Sequence, residues 1–230
     1  MSRGALVVLG KQPLPGLVKT RMSPPLSLEQ AAGLYAALLD DVLETTMRLC
    51  AALGLTPILA LHPPPACGQL AARAPRGLRV VAQRGAALAE RMSRALAEAA
   101  AGGARPLLLR GSDSPLLGEA LVREALAALD TADVVLAPDA DGGYSMIGLR
   151  RPVPGLFEHA MSTGHVLEDT RANTLARGLR VATLRAGFDL DTAADLLRLE
   201  RARGEQAERL CPRTLSFLDT HELWRMAHAG

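Results

Sequence analysis

The chain has 230 residues, 49% of them hydrophobic, and a mean hydropathy of +0.14. That is enough apolar material for one sizeable core and excludes a disordered chain. Its 26 basic and 24 acidic residues leave a net charge of only +2, and aromatics make up 3%. So even a balance gives no general field for polymeric nucleic acid, and so few rings give no base-stacking platform; a nucleic-acid polymer is not expected as a partner. The three cysteines, Cys50, Cys67 and Cys211, are far apart with no CxxC, which indicates neither a disulfide framework nor a zinc cluster. No apolar run is long enough to span a bilayer, and the opening run at 5–9 is too short for a signal peptide, so a cytoplasmic location is expected.

In chain order, "ALVVL" (5–9) reads as a buried parallel strand. A cationic loop follows. "SLEQ" (27–30) predicts a capped helix running to about Leu53, where Gly54 ends it. Strands are expected at 56–61 and 78–83, separated by a proline-rich surface loop at 62–68, and a helix at 88–101. A buried strand at 105–111 leads into "SDSPLL", then a helix at 118–129. The strand 133–138 turns through "DADGGY" into another at 145–149. A helix at 166–177, a strand at 179–184 and an amphipathic helix after "DLDT" complete the pattern, with a helical extension over 205–230 carrying the single Trp224. Strands alternating with helices predict one α/β domain around a mostly parallel sheet. Such sheets bind ligands at the carboxyl ends of their strands, where the polar clusters of this chain fall.

The first cluster is "GKQPLPGLVKTRM" (10–22). The chain has only two lysines, Lys11 and Lys19, and this loop holds both, with Arg21 beside them. Gly16 lets the backbone turn closely. Lysine supplies a compact point charge and arginine a planar fork, so Lys11, Gly16, Lys19, Thr20 and Arg21 suit a di- or triphosphate. The Walker A spacing is absent.

"GSDSP" (111–115) puts Asp113 just past a buried strand, a position suited to Mg²⁺ (or Mn²⁺), which takes one or two protein carboxylates and completes its shell with phosphates and waters. The other reading is capping of the next helix by Ser112, Asp113 or Ser114. In "DLDTAADL" (189–196), Asp189 or Asp191 could supply a second metal carboxylate, or Asp191 or Thr192 could cap the helix. "DADGG" (139–143), taken alone, reads first as a hairpin turn and second as a turn whose glycine amides and Asp141 hold a polar acceptor.

Taken in order, "KQPLPGLVKTRM", "GSDSPLL", "PDADGGYSMIGL", "MSTGHV" and "DLDTAADL" resemble the bacterial DUF2064 family, described as glycosyltransferase-A-like or as radical-SAM/selenodomain-associated transferase 1. The opening loop also resembles that of 2-phospho-L-lactate guanylyltransferases, and the "GSDSP" and "LDT" pair the metal-holding motifs of molybdenum-cofactor guanylyltransferases. The resemblance implies a three-layer α/β/α nucleotide-diphospho-sugar transferase fold. It implies phosphate contacts at Lys19 and Arg21, a metal held by Asp113 and Asp191, and an acceptor side at Asp141, Gly142, Gly143, Tyr144 and Thr163. It adds Gln83 and Gly85 to the nucleotide side, from the family pattern Q-x-G-x-D-L-G-x-R-M; here Ala87 and Ala89 replace its acid and second glycine.

The function these readings imply is a metal-dependent transferase using a nucleotide-activated donor and a small-molecule acceptor. Lys19, Asp113 and Asp141 are the candidate catalytic groups, Asp141 as a base. Sugar transfer from a nucleotide-sugar comes first, following the family description. The rivals are nucleotidyl transfer from an NTP to a phosphorylated or phosphonate small molecule, favoured by the single acid of the metal loop, and a non-catalytic nucleotide-binding module.

Overall fold

The computed structural model describes residues 4–229. Seven strands form one sheet: β1 (Ala5–Lys11), β2 (Thr56–His62), β3 (Arg79–Ala82), β4 (Leu107–Gly111), β5 (Val134–Pro138), β6 (Tyr144–Leu149) and β7 (Val181–Thr183). Their order is β3-β2-β1-β4-β6-β5-β7. Only β6 runs antiparallel to its neighbours, β4 and β5; the other pairs are parallel. The turn at 139–143 is too short for a crossover, so the chain must return antiparallel there.

The helices are α1 (Leu28–Leu53), α2 (Cys67–Arg73), α3 (Leu88–Ala101), α4 (Glu119–Ala128), α5 (Val166–Ala176), α6 (Ala193–Arg201), α7 (Glu205–Leu210), α8 (Pro212–Thr220) and α9 (Leu223–Ala229). The strand period of two sorts the core between two faces. Ala5 and Val7 join Met92 and Leu96 of α3 on one face. Leu6 joins Val122 of α4, and Val8 joins Leu34 and Leu38 of α1, on the other. The result is a three-layer α/β/α sandwich.

The capping signal at 27–30 behaves as its chemistry demands. The Gln30 N–H donates to Ser27 Oγ at 3.1 Å, and the Ser27 N–H donates to the Gln30 side chain at 2.8 Å. The extension expected at 205–230, followed here to Ala229, packs against α1 through a buried carboxylate. Asp41 accepts from the N–H and the hydroxyl of Thr214, both at 2.8 Å, at the start of α8. One expectation fails: 62–68 is not all loop. A 3₁₀ turn spans Pro64–Ala66 and α2 begins at Cys67, because prolines suit a first helical turn, where no N–H is needed. Among the described residues no helix is long and apolar enough to cross a membrane.

β1 lies between β2 and β4, so the direction of chain progress across the sheet reverses there. The crevice beyond the carboxyl ends of β1 and β4 is where an open α/β sheet takes its ligand.

Candidate active site

A cleft of ≈ 710 Å³ opens at that point. Lys11, Lys19, Thr20, Arg21 and Gln83 line it on the β1 side, and Asp113 and Asp191 line its middle. Asp141, Gly143, Tyr144 and Thr163 line it on the β6 side. Gly16, Gly85 and Gly142 lie outside the lining and shape loops instead. Gly16 turns the cationic loop at φ 78°. Gly142, at φ 84°, seats the β5–β6 turn on Gly164, whose oxygen would lie 2.0 Å from any Cβ added there.

The centre of the cleft is one ammonium between two carboxylates. Lys19 Nζ donates to Asp113 Oδ1 and, at 2.8 Å, to Asp191 Oδ1. The lysine side chain is only 3% exposed. Burial pulls its pKa down, but Asp113 and Asp191 outweigh burial and hold it above the ordinary lysine value. Its backbone sits at φ 48°, ψ 32°, the left-handed region that a non-glycine residue seldom takes. Arg21 stands outside this pair, 63% exposed, with Nη1 3.9 Å from Asp191.

Neither aspartate is a helix cap. The N-cap of α4 is Gly118, so the cap reading of Asp113 does not hold. The N-cap of α6 is Thr192, whose N–H and hydroxyl both donate to Asp195 at 2.8 Å, which leaves Asp191 for the cleft. The backbone fixes their convergence: the Leu190 N–H donates to the Asp113 carbonyl at 2.9 Å. Asp189 also lines the cleft but is held by other partners. It accepts from the Ser114 hydroxyl, and its own N–H donates to Asp139 at 3.3 Å. Burial pushes the Asp189 carboxyl up to about 7 against that Ser114 bond, and Asp139, Asp113 and Asp191 add to the rise.

Three residues support the site; Tyr35 and Arg110 were not singled out from the sequence, and Ser114 was named there only as a possible helix cap. Tyr35 of α1 accepts from the Lys11 N–H at 2.8 Å and shares a 2.7 Å bond with Ser112, tying the cationic loop to the Asp113 loop. Ser114 holds Asp189. Arg110 is 1% exposed and donates to the carbonyls of Gly111, Ser114 and Leu117, wrapping the Asp113 loop around its guanidinium. Burial pulls Arg110 down to about 10, against the charge of Asp189. A cation inside the apolar run "LLLRG" was its signal. Gln83 is partly committed: its amide nitrogen donates to the carbonyls of Gly10 at 2.8 Å and Ala60 at 2.9 Å, bracing the ends of β1 and β2.

The Asp113–Asp191 pair fits a divalent cation, since it already converges on one positive charge. Among the described residues no group of three or more His, Cys, Asp or Glu converges on a metal position. Two carboxylates suffice for Mg²⁺ that keeps waters and phosphates.

Sheet, cleft and cationic loop belong to a nucleotide-dependent transferase of the nucleotide-diphospho-sugar transferase fold. The sequence then places it more narrowly: residues 45–163 match the DUF2064 model, described as "Uncharacterized protein conserved in bacteria", and the chain belongs to that family. It is 32% identical over 185 residues to the phosphoenolpyruvate guanylyltransferase of Sphaerobacter thermophilus, covering 79% of this chain and 86% of that one. A structure from Desulfovibrio desulfuricans G20, assigned as a nucleotide-diphospho-sugar transferase, superposes with a TM-score of 0.85 at 28% identity, over 100% of this chain and 98% of that one. A cytidylyltransferase from Leptospira borgpetersenii shares the fold, with a TM-score of 0.59 at 10% identity over 97% of this chain and 96% of that one.

Proposed function

We propose that the protein is a nucleotidyltransferase that joins an NTP to a small phosphorylated acid and releases pyrophosphate. The observation that carries this reading is the likeness to the guanylyltransferase, which runs over most of both chains. It reverses the order reached from the sequence, where sugar transfer came first. The donor is GTP and the acceptor resembles phosphoenolpyruvate.

In this reaction an oxygen of the acceptor phosphate attacks the α-phosphorus. The bond from that phosphorus to the β-bridging oxygen breaks, and the electron pair leaves with pyrophosphate. The nucleophile is already ionised and has no proton to lose. That agrees with a cleft whose lining, among the described residues, holds no histidine and whose Asp141 carboxylate already accepts from the Gly143 N–H at 2.9 Å. Sugar transfer to a hydroxyl would need a base.

Positioning and charge neutralisation carry such a step. Lys11 and Arg21 face the polyphosphate, and Lys19 stabilises the charge growing on the leaving group. Asp113 and Asp191 would hold Mg²⁺ or Mn²⁺, which when bound neutralises polyphosphate charge. Asp141, Gly143, Tyr144 and Thr163 form the acceptor wall. The chain works as one domain, in the cytoplasm, where nucleoside triphosphates are made.

The competing reading, sugar transfer, has the likeness to the Desulfovibrio desulfuricans structure on its side. Mixing the protein with Mg²⁺, each NTP in turn and phosphoenolpyruvate separates the two. Pyrophosphate release with GTP is expected. No pyrophosphate with any NTP, together with nucleoside diphosphate release from a nucleotide-sugar, would overturn the proposal.

A further inference from the structure

We propose that the Asp113–Asp191 pair is a cation-exchange site whose resident cation is the Lys19 ammonium, so that a divalent metal enters weakly alone and tightly with a nucleotide polyphosphate that takes the lysine over. The second half of this statement rests on the nucleotide-transferase reading; the exchange itself does not.

The first argument is occupancy. Lys19 Nζ lies within hydrogen-bond reach of both Oδ1 atoms. A divalent cation bound by the same two carboxylates needs oxygens at ~2.0–2.1 Å and would meet the ammonium at a distance where two buried positive charges repel strongly. Metal and ammonium therefore exclude each other. The second argument is the cost of eviction. Lys19 is almost fully enclosed, so metal arriving alone must break two charge-assisted hydrogen bonds and find the ammonium another partner. A polyphosphate brings that partner to the same cleft.

The third argument is the backbone. Lys19 is held in the left-handed region although it carries a side chain. A residue stays there only while its surroundings hold it, here the two carboxylates together with the Met22 N–H, which donates to the Lys19 carbonyl at 2.9 Å, and the buried Val18 and Met22 on either side. Leaving the pair removes one of these restraints. The loop has room to move: a Cβ at Gly16 would meet nothing within 4 Å, and Thr20 and Arg21 are exposed.

The test compares Mn²⁺ affinity, without nucleotide, in wild type, Lys19→Met and Lys11→Met. Both substitutions remove one positive charge from the same cleft, but only Lys19 sits in the pair. Lys19→Met should bind Mn²⁺ at least about tenfold tighter than wild type, and Lys11→Met within about threefold of it. Equal gains in the two variants would leave only a general charge effect and overturn the exchange.

A second measurement needs no variant. The chain has two lysines, so selectively labelled lysine gives two side-chain NMR signals. Titrated with Mg²⁺ alone, the wild-type protein should bind weakly, and the Lys19 signal should move in step with occupancy. With GTP present the same movement should come at Mg²⁺ concentrations at least about tenfold lower. Metal bound with the Lys19 signal unmoved would refute the exchange. Should GTP fail to bind at all, the nucleotide reading falls, while the Mn²⁺ comparison and the Mg²⁺ titration still decide the exchange.

Discussion

The N–H of Leu190 donates to the carbonyl of Asp113 at 2.9 Å, binding two loops that lie far apart in the chain. This main-chain bond fixes where the two loops meet, and the Lys19 ammonium draws the side chains of Asp113 and Asp191 to one point. Asp113→Asn and Asp191→Asn should therefore each leave the fold intact, with melting temperatures down by several degrees at most, because one charge partner of a buried ammonium is lost. Pyrophosphate release should fall about a hundredfold or more in each. The double variant should be no worse than either single one, because groups that hold one cation act as a unit. Multiplying losses in the double variant would show that the two act separately. Since Thr192 is the cap of α6, a near-silent Asp191→Asn could not be excused by capping and would remove Asp191 from the site.

The two lysines differ in what they do before ligand arrives. Lys19 is paired and enclosed, whereas Lys11 is exposed at the cleft and makes no ion pair among the described residues. Lys11→Ala should leave the melting temperature unchanged and weaken nucleotide binding about tenfold, the worth of one charge-assisted phosphate contact. Arg76→Ala removes the same charge from an exposed position away from the cleft. It should change affinity less than about twofold at physiological salt, because distant surface charges are screened. Equal losses would reduce the loop to part of a diffuse field. Isothermal titration of the two variants at matched ionic strength decides it.

Much of this was legible in the sequence. Short apolar runs followed by charged loops are what parallel strands ending at a ligand crevice look like, and both lysines in one loop pointed to the cleft. The partner of Lys19 was not legible. Its two carboxylates lie 94 and 172 positions away, and nothing local says which acid a lysine will face. Arg110 was not singled out: its one signal, a cation in an apolar strand, says nothing of a role that depends on the path of the loop that follows. The different partners of Asp189 and Asp191 turn on Ser114 and Thr192, through hydrogen bonds that spacing cannot show. Sugar and nucleotidyl transfer were not separable, because both hold the same polyphosphate with the same charges.

Acid should loosen the strand that delivers the Asp189–Asp191 segment. Asp133 sits before β5 and accepts from the Arg180 N–H at 3.0 Å and from Arg180 Nε at 3.3 Å, just before β7. The Arg180 N–H, then its guanidinium and that of Arg150, hold the Asp133 carboxyl below the usual carboxylate range. A lowered carboxyl stabilises the fold above its unfolded value of about 3.9, and that stabilisation is lost as pH falls through the native value. Arg180 is 62% exposed, so the ion pair is screened and worth about 1 kcal/mol at most. The gap in urea midpoint between wild type and Asp133→Asn should be largest near neutral pH and close as pH falls below about 4. A gap that stays constant from neutral to acid would mean that charge plays no part in the anchor.

The turn between β5 and β6 offers the sharpest test of the acceptor wall. Gly142 has φ 84°, and a Cβ there would stand 2.0 Å from the Gly164 oxygen, while its own carbonyl accepts from the Leu167 N–H at 2.9 Å. Gly142→Ala therefore carries two penalties: the left-handed backbone, about 1 kcal/mol for alanine, and a clash with main chain that cannot rotate aside. The turn must move off the 161–166 segment, and Asp141, Gly143 and Thr163 move with it. Gly178→Ala is the matched control. It has φ 68°, no atom within 4 Å of the added Cβ, and no place in the cleft lining. It should carry the backbone penalty alone. Both variants should lose stability, Gly142→Ala more. Only Gly142→Ala should raise KM for the phosphorylated acceptor, by about tenfold, while nucleotide affinity, set by residues on the far side of the cleft, stays within about twofold. If acceptor KM is unchanged in Gly142→Ala, or nucleotide affinity falls with it, the β5–β6 turn is a structural hairpin and the acceptor binds elsewhere.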